Sequence, residues 1–386
     1  MIKKYATLLF LFFSVQTIIS QELNLSVYSQ VSVITIGPGD ELYEKFGHSS
    51  IRIKDPMFKI DFVYDYGIFD YDAPNFYSNF TKGKLLYKVA RIPFQYILRS
   101  RKAQKRWVKE QVLDLNQQER QQLFAFLEHN VLPQNATYLY DPFFDNCATK
   151  ITDNLKAILG NKVQFHSNHL TKNSSLRQLM NKEINWNTWG SLGINIALGN
   201  RLDKTITSNE YNYLPDYVFL ALQNATLNGK NLVNKEHTLL DYKEKENSFS
   251  LVSPFIVFLV LSLIGLFITY KDFINNRRSK WLDFILFILT GLIGILIVFL
   301  WFFTNHSTTP NNFNFLWALA PNFIVSFFLL KSEIPKWFRK YNYILLILLI
   351  TIPLIWLTGI QEFSLALIPL LILLIIRYYY LLTFKK

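Results

Sequence analysis

Apolar residues are distributed along this chain in two regimes. Up to residue 251 they alternate with polar residues or recur every three to four positions; from residue 252 onward they stand in five near-continuous runs, at about 252–270, 281–303, 313–330, 341–359 and 363–383. A helix needs roughly 20 apolar residues to cross a bilayer core, so the second regime predicts an all-α membrane domain over residues 252–386 with five transmembrane helices. The connection after the first run carries Lys271, Arg277, Arg278 and Lys280, and that after the third carries Lys331, Lys336, Arg339 and Lys340. The tail ends on Lys385 and Lys386, whereas stretches 305–312 and 360–362 carry neither Lys nor Arg. Basic loops stay in the cytoplasm, which puts residues 21–251 outside and the C-terminus inside. Lys3 and Lys4, the apolar stretch 5–15 and the small Ser20 before Gln21 predict a signal peptide over residues 1–20, with the same orientation.

In the first regime, Gln30–Ile36 places Val31, Val33, Ile34 and Ile36 as in a strand, which Gly37-Pro38-Gly39-Asp40 breaks. Residues 47–54 and 58–66 read as a hairpin around Asp55-Pro56-Met57. A two-residue loop at Pro56 and Met57 would set Arg52 opposite Asp61 and His48 opposite Asp65. A strand follows at 84–92, then a strand or helix at 106–115 and an amphipathic helix at 116–130 with Leu123, Phe124 and Leu127 inward. The stretch 148–159 repeats Ile151, Leu155, Ile158 and Leu159 at helical spacing before Gly160 stops it. Helical patterns at 175–184 and 186–198, and the turn Leu214-Pro215-Asp216-Tyr217, make up a cap or support, and 241–247 is a charged connector. An antiparallel sheet with a helix packed on it is an α+β plan.

Composition changes this picture at two points. Of the net charge of +12, +2 falls in the first 20 residues and +7 beyond residue 252, which leaves +3 for the region between. The excess follows topology, and a nucleic-acid partner, which needs a basic face on a folded domain, is excluded. Cys147 is the single cysteine of the 386 residues, so an exported domain has no disulfide framework, and its lone thiol asks for a chemical role. Asp145 and Asn146 are helix-capping residues, which places Cys147 in the first turn of the 148–159 helix. There the helix dipole and unpaired N–H groups favour a thiolate and offer donors to an oxyanion. His48 is the expected base, and Asp65 the group that orients it.

The stretch 305–314 is polar and uncharged, flanked by Trp301, Phe302 and Phe303 on one side and Phe315 and Trp317 on the other. His306, Asn312 and Asn314 there, with Asn146 beside the thiol, are the expected substrate-binding residues. No spacing of His, Cys or carboxylates suggests a metal, and nothing suggests a cofactor.

Four motifs carry a family resemblance: Leu42-Tyr43-Glu44-Lys45-Phe46-Gly47-His48, Val63-Tyr64-Asp65-Tyr66-Gly67-Ile68-Phe69-Asp70, Asp145-Asn146-Cys147-Ala148-Thr149, and Leu198-Gly199 with Leu214-Pro215-Asp216-Tyr217. With the 302–317 loop, they make the chain resemble the Lnb-type lipoprotein N-acyltransferases. The resemblance implies a papain-like exported domain, permuted so that histidine precedes cysteine and similar to lecithin retinol acyltransferase, followed by a membrane domain. It also implies Cys147 and His48 as the catalytic pair, in a multi-pass protein of the inner membrane with its catalytic domain in the periplasm. Related chains tend to have asparagine where this one has Asp65. The implied reaction moves an acyl chain from a phospholipid donor through a Cys147 thioester to the α-amine of a diacylated lipoprotein. A membrane-tethered cysteine amidase or peptidase acting on cell-wall peptides would use the same pair, and a non-catalytic sensor would use neither group.

Overall fold

The computed structural model describes residues 23–170, 173–245 and 250–384; the expected signal peptide, Lys385 and Lys386 lie outside the described residues. Among the described residues ten strands occur in chain order: β1 (Gln30–Ile36), β2 (His48–Asp55), β3 (Ile60–Ile68), β4 (Leu86–Pro93), β5 (Val108–Leu113), β6 (Thr137–Leu139), β7 (Val163–Gln164), β8 (Thr226–Leu227), β9 (Lys230–Asn231) and β10 (Val233–Leu240). Seven of them build one antiparallel sheet in the order β10-β5-β1-β2-β3-β4-β6, and β7, β8 and β9 form a small second sheet. The helices of this part are α1 (Phe76–Thr81), α2 (Phe94–Gln104), α3 (Gln117–Asn130), α4 (Thr149–Leu159), α5 (Leu176–Glu183), α6 (Trp189–Ala197) and α7 (Pro215–Gln223).

Strand alternation divides the sheet between two cores. Val31, Val33, Ile51, Ile53 and Tyr64 face Leu123 and Leu127 of α3 and Ile151 and Leu155 of α4, while Ile34, Ile36, Val63 and Val108 face Phe94 and Ile97 of α2. The helix α2 and the strand β10 were not expected. β10 returns from the end of the supposed cap to pair with β5, so residues 233–240 are part of the main sheet.

The β2–β3 hairpin pairs Arg52 with Val63 and Lys54 with Asp61, two residues away from the expected register, because its loop is four residues long and turns at Lys59 in the left-handed region. A slip of two keeps every side chain on its face. Arg52 therefore still reaches Asp61 diagonally, with Nε to Oδ1 at 2.7 Å, and also bonds Glu110 at 2.9 Å.

The membrane domain has α8 (Pro254–Ile274), α9 (Lys280–Phe302), α10 (Asn322–Leu329), α11 (Lys336–Leu357) and α12 (Ile368–Thr383). Among the described residues, four helices are long and apolar enough to cross a membrane: α8, α9, α11 and the one ending in α12. The third expected span is not a single helix: a 3-10 turn at Phe313–Leu316, an irregular stretch through Pro321, and the eight-residue α10 take its place. Proline stops a helix from continuing back through it. The irregular backbone rests on the small face of α9, where a side chain at Gly291 or Gly294 would overlap residues 318–323. Asn322 Nδ2 donates to Thr290 Oγ1 at 3.0 Å. Non-helical backbone at membrane depth is tolerated where protein covers it in this way. At the basic end, buried Arg377 binds Asp283 at 2.7 Å and Asp272 at 2.8 Å, and Arg278 binds Asp283 at 3.2 Å, which balances the charges carried by α8, α9 and α12.

The two parts are docked by buried amides. Asn312 Nδ2 donates to the carbonyls of Ile196 and Ala197 at 2.7 and 3.1 Å, and Asn314 Nδ2 donates to that of Asn195 at 3.0 Å. Further along, Trp189 Nε1 donates to Val252 O at 2.8 Å. Asn312→Ala leaves Ala197 O without a partner and Ile196 O with only the longer bond from Asn314 at 3.4 Å, and is expected to destabilise the full-length protein by about 1–3 kcal/mol, the cost of one orphaned buried group. Thermal unfolding in detergent checks this. Asn305→Ala, which removes an exposed side chain from the same loop, is expected to leave the melting temperature within error.

Candidate active site

The segment that carries the thiol is fixed by one amide. Asn146 is 4% exposed. Its Oδ1 accepts from the N–H groups of Ala148 and Thr149 at 2.8 and 3.0 Å, and its Nδ2 donates to the carbonyls of Pro142 and Tyr213 at 2.8 and 2.9 Å. Lys150 N–H donates to Asn146 O, the first helical bond, so the true cap is Asn146 and Cys147 stands in the first turn as expected. The cap corrects two expectations. All four bonding positions of the Asn146 amide are occupied, so it is not a substrate-binding group, and it takes two of the helix N–H groups that were expected to hold an oxyanion. The N–H of Cys147 has no partner among the described residues and remains as a donor at the thiol.

His48 opens β2 directly after Gly47, whose φ of +74° and close approach to the carbonyl of Ile36 exclude a side chain. That turn delivers the imidazole to the thiol. His48 is hydrogen-bonded through Nε2 to Asp65 Oδ1 and stands beside Cys147, close enough for imidazole and thiol to shift each other's pKa, with the backbone of Ser49 also next to the sulfur. Asp65 stands two residues from the position that the register sets opposite His48, the same diagonal offset that joins Arg52 to Asp61. The structure thus brings Cys147, His48 and Asp65 together in the expected order of contact.

The electrostatics favour an ion pair. Burial pulls the imidazole pKa down, but the charges of Asp65 and Cys147 and the bond to Asp65 outweigh it and hold His48 up at about 10. Burial pushes the thiol up, against which the imidazolium and the N–H of Ser49 win, and Cys147 is lowered.

Of the other expected binding residues, Asn312 and Asn314 are buried in the docking contacts and are not free for a ligand. His306 is half-buried against the carbonyls of Phe80 and Thr81, and burial pushes its pKa down. Its loop nevertheless reaches the site: Ser307 Oγ donates to Asp141, Arg201 donates to Ser307 O at 2.9 Å, and Asp141 pairs by backbone with Asp145, two residues before the thiol.

Sequence reasoning missed three neighbours. At Gly67, φ +88°, an added side-chain carbon would sit 3.3 Å from the ring of Tyr140 and 3.8 Å from Cys147 Cβ, so ring and thiol border the same spot. Tyr138 and Tyr140 are both held protonated by burial and by the thiolate beside them. The alternation Tyr138, Leu139, Tyr140 was the available signal.

These pKa directions set a pH profile. The thiolate–imidazolium pair exists from the lowered thiol pKa up to about 10, so Cys147 is expected to alkylate at pH values where an ordinary thiol does not. Asp65→Asn removes the charge that holds His48 up, so the upper limb is expected to move down from about 10 toward the ordinary imidazole range. Alkylation rate against pH in wild type and variant checks both. An unmoved upper limb would leave Asp65 with an orienting role only.

Residues 20–182 match the Lnb N-terminal periplasmic domain, and residues 244–386 match the Lnb transmembrane domain. No curated protein and no solved structure matches the chain. The two matches take in most of the chain, in the order in which the structure arranges a sheet-bearing domain and a helical membrane domain, and the protein belongs to the Lnb family, with its N-terminal domain on the periplasmic side of a membrane.

Proposed function

We propose that the protein is a lipoprotein N-acyltransferase of the inner membrane, with its C-terminus in the cytoplasm. The observation that carries the reading is the imidazole of His48, bonded to Asp65 and standing beside the Cys147 thiol, in a domain docked directly on the membrane domain. The Cys147 thiolate attacks the carbonyl carbon of a phospholipid ester. A C–S bond forms, the C–O bond to glycerol breaks, and the imidazolium gives its proton to the leaving alkoxide, releasing a lysolipid. The α-amine of a diacylglyceryl-cysteine then attacks the thioester. The C–N bond forms, the C–S bond breaks, and the amine proton passes to His48, which restores the ion pair.

Membrane docking supports a transferase. Donor and acceptor are both confined to the bilayer, so a thiol held at its surface replaces a search in solution by positioning. A tether for a peptidase or amidase needs no buried amide contacts between its domains.

Mass spectrometry of lipoprotein N-termini, in cells with and without the protein, tests the reading. The third acyl chain is expected to disappear on deletion and on Cys147→Ser. His48→Ala is expected to reduce its formation by about 10²- to 10⁴-fold, the usual contribution of a general acid–base. N-termini that remain fully acylated after deletion, together with altered cell-wall peptides, would establish the amidase instead.

A further inference from the structure

A lipid ester has to bring its carbonyl to Cys147 with a long alkyl chain attached, and exposing that chain to water is unfavourable for every methylene. α1 is fastened to the end of α9 that the basic loops put on the outer side. The N–H of Asn305, three residues beyond the end of α9, donates to Lys82 O at 2.8 Å, and His306 packs so closely on Gly83 that a side-chain carbon there would lie 2.6 Å from its backbone nitrogen. On this helix Tyr77 is 71% and Phe80 49% exposed, and Phe302 and Phe303, which end α9, are exposed as well. Aromatic side chains at this depth belong to the interfacial belt.

The rings do not stop at the surface. From Phe80 a file of contacts leads inward: Phe80 to Phe76 at 6.1 Å between centroids, Phe76 to Phe69 at 6.1 Å, Phe69 to Tyr87 at 5.1 Å, and Tyr87 to Tyr140 at 4.5 Å. Tyr140 borders the same glycine as Cys147. An interfacial anchor alone requires Tyr77 and Phe80 but no continuation to the nucleophile.

We propose that this file is the path along which the acyl chain of a long-chain phospholipid is drawn from the outer leaflet to Cys147, an inference that rests on the acyl-transfer reading above. Flat, rigid rings offer continuous apolar cover to an alkyl chain at little cost in their own conformational freedom.

The test uses the full-length protein in vesicles of phosphatidylethanolamine and phosphatidylglycerol, with acylation of Cys147 followed by intact mass. In parallel, acylation by p-nitrophenyl acetate, which carries no chain, reports on the thiol itself. Phe76→Ser and the double variant Tyr77→Ser/Phe80→Ser are expected to lower acylation from vesicles by about tenfold or more, as the loss of apolar contact to a substrate chain does, with the acetate reaction unchanged. Phe76→Leu and Phe80→Leu, which keep an apolar surface, are expected to retain most of the vesicle reaction. An unchanged vesicle reaction in the serine variants, or an equal loss of both reactions, overturns the path. A wild-type protein that takes no acyl group from the vesicles overturns the acyl-transfer reading itself.

Discussion

The candidate active site depends on the four hydrogen bonds of one buried amide. Asn146 caps α4 with its oxygen and holds the carbonyls of Pro142 and Tyr213 with its nitrogen, so it fixes the start of the helix, the turn before it and the segment leading into α7 relative to one another. Cys147 is the next residue and has no freedom to drift. Each of the four groups would be costly to leave unpaired in the interior, so the thiol is positioned by side chains that take no part in its chemistry. The same logic recurs at the domain junction, where Asn312 and Asn314 satisfy the last carbonyls of α6. The cysteine-bearing domain and the membrane domain are thereby parts of one folded unit.

Much of the site was legible from the chain because its geometry obeys a period. Gly47 before His48, and a capping residue before a helical repeat, are local signals. The pairing of His48 with Asp65 came through an error of two in register, since a slip of two leaves a side chain on the same face and within diagonal reach. An error of one would have put Asp65 on the opposite face.

What was misread depends on contacts between residues far apart in sequence. An uncharged asparagine cluster at a bilayer surface has the same appearance whether its amides meet a ligand or a carbonyl, and the carbonyls that Asn312 and Asn314 bind lie more than 100 residues earlier in the chain. The run 313–330 has the length and hydrophobicity of a span. Its break at Pro321 is tolerated only because Gly291 and Gly294 on α9 admit its backbone. β10 was invisible for a different reason. It is an edge strand, and Asn234 to Thr238 are all exposed, so it lacks the alternation by which a half-buried strand is recognised.

In the acyl transfer we propose, the charge arrangement at Cys147, His48 and Asp65 orders the steps. A thiolate held by an imidazolium is ready to attack an ester before any acceptor arrives, and the proton needed by the leaving alkoxide is already on His48. Once the thioester has formed, that proton has left with the alcohol, and the neutral imidazole beside Asp65 is ready to take one from an incoming amine. The carboxylate raises the basicity of His48 at this second stage as it stabilised the imidazolium at the first. One Asp–His pair thus serves both half-reactions without rearrangement. The two substrates can then use the site in succession, each brought to it from the same bilayer.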